Sequence, residues 1–106
     1  MTDISVIIVT WNSRDEIVKC VNSIIGALQG LDSELIIIDN NSQDDSFALV
    51  NKINFPKLNT VLNPENLGYT KAINQGIKLS KGKYVLLLNP DTLLNDSSIK
   101  VMYDFM

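Results

Sequence analysis

Short apolar runs alternate with longer amphipathic stretches along this chain, and polar turn residues separate them. Residues 4–11 (ISVIIVTW), 34–39 (ELIIID) and 83–88 (KYVLLL) are continuously apolar and largely branched, the pattern of strands covered on both faces. Residues 58–62 (LNTVL) alternate instead, which predicts a weaker strand at a sheet edge. After the first run, Ser13 and Glu16 have the spacing of a capping box, and Ile17, Val18, Val21, Ile24, Ile25 and Leu28 recur at helical intervals. They predict an amphipathic helix ending near Gly30. Ser42 with Asp45 opens a second, less regular helix that carries Phe47, Val50 and Ile53 and stops before Pro56. A third runs from about Gly68 to Ser80, with Ala72, Ile73, Gly76 and Ile77 inward and Gly82 as its stop. Asp96 caps a fourth, whose apolar positions are Ile99, Met102 and Tyr103.

The order β-α-β-α-β-α-β-α implies an α/β fold: right-handed crossovers place helices on both faces of a mostly parallel sheet of about four strands, a Rossmann-like three-layer sandwich. If the sheet runs 3-2-1-4, the winding reverses between the first and fourth strands, and a crevice opens at their carboxyl ends. Thr10, Trp11 and Asn12 lie there after the first strand, and Asn89, Pro90 and Asp91 after the fourth.

Composition narrows the chemistry. The 106 residues, 45% hydrophobic and 20% charged, suffice for one core and not for two domains. Nine basic against twelve acidic residues give a net charge of −3, the wrong overall sign for a nucleic-acid partner. With one cysteine, Cys20, and no histidine, an internal disulfide, a zinc site and a serine or cysteine triad all fall away. Residues 1–4 lack the basic start of a secretion signal, and no apolar run approaches the roughly 20 residues that span a bilayer. The expectation is a soluble, cytoplasmic protein. Neither G-x-G-x-x-G after the first strand nor G-x-x-x-x-G-K-[ST] occurs, which disfavours dinucleotide dehydrogenases and P-loop ATPases.

Each strand end carries a candidate with a plainer alternative beside it. Asn89-Pro90-Asp91-Thr92 delivers a carboxylate into the crevice, which suits Mg²⁺ or Mn²⁺ bound together with substrate phosphates; the alternative is a simple turn. Asp39, ahead of Asn40-Asn41-Ser42, either accepts hydrogen bonds from a ribose or base imide or helps cap the next helix. The loop through Asn66 and Gly68 runs into a helix start where a diphosphate could sit near Lys71, or is a turn in which Asn66 and Gly68 take left-handed angles. Trp11 either stacks on a nucleobase or closes the end of the core. Cys20, beside Val18 and Val21, reads as an inert small side chain.

The segments Ser5-Val6-Ile7-Ile8-Val9-Thr10-Trp11-Asn12, Ile37-Ile38-Asp39-Asn40-Asn41-Ser42, Asn66-Leu67-Gly68 with Ala72, Asn74 and Gly76, and Leu87-Leu88-Asn89-Pro90-Asp91-Thr92 together resemble a family 2 glycosyltransferase of GT-A fold. The Asn-Pro-Asp-Thr form is similar to bacterial rhamnosyltransferase-like members that build cell-surface polysaccharides. The resemblance implies that residues 1–106 form a single nucleotide-sugar-binding domain, a truncated GT-A unit lacking the acceptor-binding half. It further implies that Thr10, Trp11 and Asp39 hold the nucleoside of a UDP- or dTDP-sugar, and that Asn66 and Lys71 lie near ribose or diphosphate. Asp91 would coordinate a divalent Mg²⁺ or Mn²⁺, and Asn12, Gly68 and Asn89 complete the expected donor-binding set. The family's Asp-x-Asp is here Asn89-Pro90-Asp91, so one carboxylate charge is missing from the metal site.

Full members of this family run to more than twice this length and carry the general base in their later half, so no catalytic residue is expected here and little turnover from these residues alone. Peripheral membrane association is implied for the full-length enzyme. The competing expectation is a non-catalytic nucleotide-sugar-binding or self-associating module. Its motive is the last strand, where Val85, Leu86, Leu87 and Leu88 would form an open apolar edge and draw a homo-oligomer together. A phosphoacceptor receiver domain shares the alternating order but needs an acidic pair where Trp11 and Asn12 stand.

Overall fold

The computed structural model describes residues 2–95 and 97–104. The elements follow as β1 (Ile4–Thr10), α1 (Arg14–Ala27), β2 (Ser33–Asp39), α2 (Ser46–Asn51), β3 (Leu58–Leu62), α3 (Tyr69–Leu79), β4 (Tyr84–Leu88) and α4 (Ser98–Asp104). The sheet order is β3-β2-β1-β4, and each neighbouring pair is parallel. Among the described residues no helix is long and apolar enough to cross a membrane.

Strand alternation divides the core into two layers, because successive side chains point to opposite faces. Val6 and Ile8 of β1 with Leu35 and Ile37 of β2 pack against Ile17, Val21 and Ile24 of α1, Val50 of α2 and Ile99 of α4. Ile7, Val9, Ile36 and Ile38 face the other way, onto Ala72 and Ile73 of α3. Gly76 explains how closely α3 sits: a Cβ there would lie 2.6 Å from Ile7 Cγ2. Only a residue without a side chain leaves that space.

Several local expectations need correction. Trp11 lies outside β1, which ends at Thr10. Ser13 does occupy the N-cap position of α1, but its hydroxyl makes no cap bond and donates to the Trp11 carbonyl instead. Helix α2 starts at Ser46 with Asp45 at its N-cap, because the Ser42 hydroxyl is taken up by the backbone N–H of Asn12; Ile53 falls beyond its end. Ile77 is exposed rather than inward, since α3 packs on β1 and β2 and leaves that flank uncovered. For the same reason β4 is not covered on both faces: Leu86 and Leu88 reach the core, whereas Val85 and Leu87 are 42% and 43% exposed. The Asp96 cap and the side chains of Met102 and Tyr103 lie outside the described residues.

Candidate functional site

Three parallel strands, β1, β2 and β4, bring Thr10, Asp39 and Asn89 to the same end of the sheet. Thr10 is the register partner of Asp39, and both share the strand face that packs on α1. Thr10 is 1% exposed and Asp39 0%. Asp39 Oδ1 accepts the Ser42 N–H at 2.7 Å. Its other oxygen, Oδ2, and Thr10 Oγ1 are the buried side-chain oxygens without a hydrogen-bond partner among the described residues. Buried polar groups of this kind ordinarily find partners, so two orphaned on adjacent strands point to a group that completes them.

Loops from separate strands are laced together above this pair. Asn12, at φ 51°, and Asn41, at φ 68°, take left-handed angles that asparagine tolerates. The Asn12 carboxamide oxygen accepts the Gln43 N–H at 2.6 Å, and its own N–H donates to Ser42 Oγ at 2.9 Å. Ser13 N–H donates to Ser46 Oγ at 3.0 Å, and Ser46 Oγ–H donates in turn to Asp44. Desolvation opposes ionisation of Asp44, but hydrogen bonds from the Ser46 hydroxyl, the Ser46 N–H and the Arg14 N–H outweigh it and hold its carboxyl below the usual range. Trp11 stands at the rim of this arrangement, 53% exposed, so it does not close the core.

Asn66, Gly68 and Lys71 belong to the β3–α3 loop and the first turn of α3. All three are exposed. Gly68 is the N-cap with φ 82°, and Asn66 Oδ1 accepts its N–H at 2.8 Å. Asn66 is thus the side-chain acceptor of this tight turn, while Gly68 alone takes the left-handed angle of the pair named for it.

On the far side of β1, Asn89-Pro90-Asp91-Thr92 forms a turn closed by Thr92 N–H to the Asn89 carbonyl at 3.1 Å, with Asn89 and Asp91 exposed. Cys20 Sγ lies 3.5 Å from that same carbonyl. Burial pushes its thiol up to about 11, with Asp91's charge adding to the rise and a Thr92 backbone bond opposing it. A thiol so shifted is inert at neutral pH. Among the described residues no cluster of three or more acidic or sulfur ligands could cage a metal ion.

Every residue singled out from the sequence therefore lies at one end of the sheet, Thr10, Trp11, Asn12 and Asp39 on one side and Asn89 and Asp91 on the other, with Asn66, Gly68 and Lys71 at the mouth of α3. A concavity of about 260 Å³ beside Leu28, Leu31, Phe55 and Lys57 lies before β2 and β3, at the opposite end. The site is assigned by chemistry, not by size. Sequence reasoning missed Asn40, Asn63 and Gln75, a buried or half-buried amide cluster beneath the α3 mouth. The signal was two amides, Asn40 and Asn63, each placed directly after a strand.

A parallel sheet of order 3-2-1-4 with polar groups gathered where its winding reverses defines a doubly wound α/β domain. The model of Glycosyl transferase family 2 matches residues 5–106, and the chain belongs to that family. Poly(ribitol-phosphate) β-N-acetylglucosaminyltransferase TarP of Staphylococcus aureus is 30% identical over 99% of this chain and 33% of its own length. The Escherichia coli glucosyltransferase WfaP, which carries UDP-Glc and GlcNAc-diphosphoundecaprenol in its name, is 30% identical over 97% of this chain and 41% of its own. Crystal structures of S. aureus TarS, one of them with UDP-GlcNAc, superpose with a TM-score of 0.87 at 28% identity, covering 98% of this chain and about a third of theirs. A Pyrobaculum calidifontis mannosyltransferase with GDP-Man and Mn²⁺ shares the fold, at a TM-score of 0.77 and 24% identity. The chain spans 29–41% of the length of the first three curated relatives.

Proposed function

We propose that this chain binds the nucleotide-sugar donor of a glycosyltransferase that transfers a hexosyl group to a saccharide or lipid-linked acceptor in cell-surface polysaccharide synthesis. The observation that carries the reading is the orphaned pair, Thr10 Oγ1 and Asp39 Oδ2, beside the exposed indole of Trp11. A uracil or thymine imide offers an N–H to the carboxylate and a carbonyl to the hydroxyl, while its face stacks on tryptophan. The donor is accordingly a UDP- or dTDP-sugar. Asn12 shapes the loop that frames the base; Asn66, Gly68 and Lys71 meet ribose and diphosphate at the α3 amino terminus, where backbone N–H groups and the helix dipole favour an anion.

The donor set of Asn89 and Asp91, hard oxygens with a single carboxylate, fits Mg²⁺ or Mn²⁺ held largely by the phosphates and not a cage made by protein. When bound, the ion would neutralise the charge of the departing nucleoside diphosphate. Asp91 would anchor it, and Asn89 would offer a neutral oxygen beside it. No general base is assigned among these residues, and a cytoplasmic location with peripheral membrane association of the working enzyme belongs to the same proposal.

Titration with UDP- or dTDP-sugars in the presence of Mn²⁺, followed by Trp11 fluorescence, tests the reading. Binding in the wild type that loses its metal dependence in D91N is expected; folded protein whose fluorescence answers to no nucleotide refutes it. The half-exposed Val85 and Leu87 on edge strand β4 support a second reading, self-association through that edge. Sedimentation velocity at tens of micromolar should then show a dimer, and a clean monomer would end that idea.

A further inference from the structure

The residue after Asp39 is buried to the same degree and does different work. Asn40 is 3% exposed, as is Asn63. Asn40 Oδ1 accepts the Leu67 N–H at 3.3 Å and Asn63 Nδ2 at 3.0 Å, while Asn40 Nδ2 donates to the Gly68 carbonyl at 3.1 Å. One carboxamide thus grips the loop by an N–H and a C=O of consecutive residues. Asn63 braces it from below: its N–H donates to the Asp39 carbonyl at 2.9 Å, and its amide pairs reciprocally with Gln75 of α3 at 2.8 Å in both directions. The Asn40 N–H meanwhile donates to the Thr10 carbonyl at 2.9 Å. The Asn40 side chain holds the β3–α3 loop while its backbone holds the end of β1.

We infer that Asn40 is the positioning residue of the donor site: its carboxamide fixes the amino end of α3 against the ends of β1 and β2, and so sets the spacing between Asp39 and the N–H groups that receive ribose and diphosphate. This rests on the nucleotide-sugar reading above. Both halves of the amide are needed. Aspartate has nearly the same shape but, when ionised, turns a second oxygen on the Gly68 carbonyl and brings an unpaired charge into a buried place. Protonated, its O–H restores the donor. Burial raises a carboxyl's pKa, which moves that titration toward neutral pH.

The test compares UDP binding by wild type, N40D and N40A from about pH 5 to about pH 8, a span that brackets a raised carboxyl. N40D should bind like wild type at the acid end and about tenfold more weakly at the alkaline end, the loss expected for one charge-sensitive hydrogen bond. N40A should be weaker by a constant factor throughout, and its Leu67 amide should exchange with solvent about tenfold faster than in wild type once its acceptor is gone. A pH-independent loss in N40D, or unchanged Leu67 exchange in N40A, overturns the inference; N40A decides it alone if N40D does not fold. Should wild type bind no nucleotide, the functional reading fails separately, and Leu67 exchange in N40A still judges the clamp.

Discussion

Asp39→Asn should move stability and ligand affinity in opposite directions. In the folded chain Asp39 Oδ1 is satisfied by the Ser42 N–H and Oδ2 is buried without a partner among the described residues. An unmet buried polar atom costs about 1–3 kcal/mol, more when charged. Asparagine keeps the acceptor for Ser42 and puts a neutral NH₂ in place of the unpartnered carboxylate oxygen, and a neutral group costs less than a charge to leave buried and unpaired. The fold should gain about 1 kcal/mol, or roughly 4–8 °C in Tm for a chain of this size. A base imide then meets a donor in place of a carboxylate. Losing a hydrogen bond to a charged acceptor costs about 1.5–3 kcal/mol, so the Kd for UDP should rise about 10- to 150-fold. Urea denaturation and nucleotide titration on the same preparation read both effects. Unchanged affinity would refute the role of Asp39 in the donor site, and a loss of stability near 1 kcal/mol would show that Oδ2 has a partner within the protein after all.

Other perturbations test the frame around the site. Gly76→Ala puts a Cβ 2.6 Å from the Cγ2 of Ile7, a branch point too stiff to swing away; overpacking of about 1–3 kcal/mol should exceed the ~1 kcal/mol gained in helix propensity and lower Tm. Cys20, its thiol raised from 9.0 to about 11, should react with iodoacetamide at neutral pH at least ~100-fold more slowly in the folded chain than in denaturant, since two pKa units set the thiolate fraction. Asp44 has a carboxyl pKa below the ordinary 3.8, so its contribution is fully present above that value and is lost as pH falls through the lowered one. Asp44→Asn should therefore flatten the acid limb of the stability curve, and an unchanged limb in acid-titrated circular dichroism would contradict the Ser46 and Arg14 contacts.

Strand positions were legible because their signal is local. Unbroken branched runs such as residues 34–39 mark a strand wherever they sit in a sheet, and the alternating run Leu58–Leu62 marks a weaker one at an edge. Helix starts were read less well, for a physical reason. A serine near a helix start caps it only if nothing better competes for its hydroxyl, and here Ser13 and Ser42 are claimed by Trp11 and Asn12. Ser13's competitor is local, two residues back, whereas the Asn12 N–H that engages Ser42 lies on a loop that meets it only after the sheet forms. The Asn40, Asn63 and Gln75 cluster draws on three separate segments, so no window of sequence contains it. Coverage of β4 was misread because a run such as Val85 to Leu88 states what a strand can bury and not whether a helix arrives to bury it.

The distribution of charge at this end of the sheet bears on what the site can hold. Asp39 ends β2, Asp44, Asp45 and Asp91 stand after strands that end there, and Asp15 and Glu16 occupy the first turn of α1 beside them. Arg14 is already engaged with Asp45 at 3.1 Å, so on the proposed reading Lys71 and the α3 amino terminus would be left to face the diphosphate. One lysine and a helix dipole worth about half a charge do not balance a doubly or triply charged group set among carboxylates. On the proposed reading a donor carrying its own divalent cation would, because it arrives with much of its charge neutralised and would present the cation to Asp91. The neutral amides at Asn12, Asn40, Asn63 and Asn66 fit the same logic: they supply hydrogen bonds that shape the loops without adding negative charge where, on the proposed reading, phosphate would approach. On that account the replacement of an acidic residue by Asn89 lessens repulsion toward the diphosphate as well as weakening the grip on the metal, and the balance between the two sets how strongly donor binding depends on the ion.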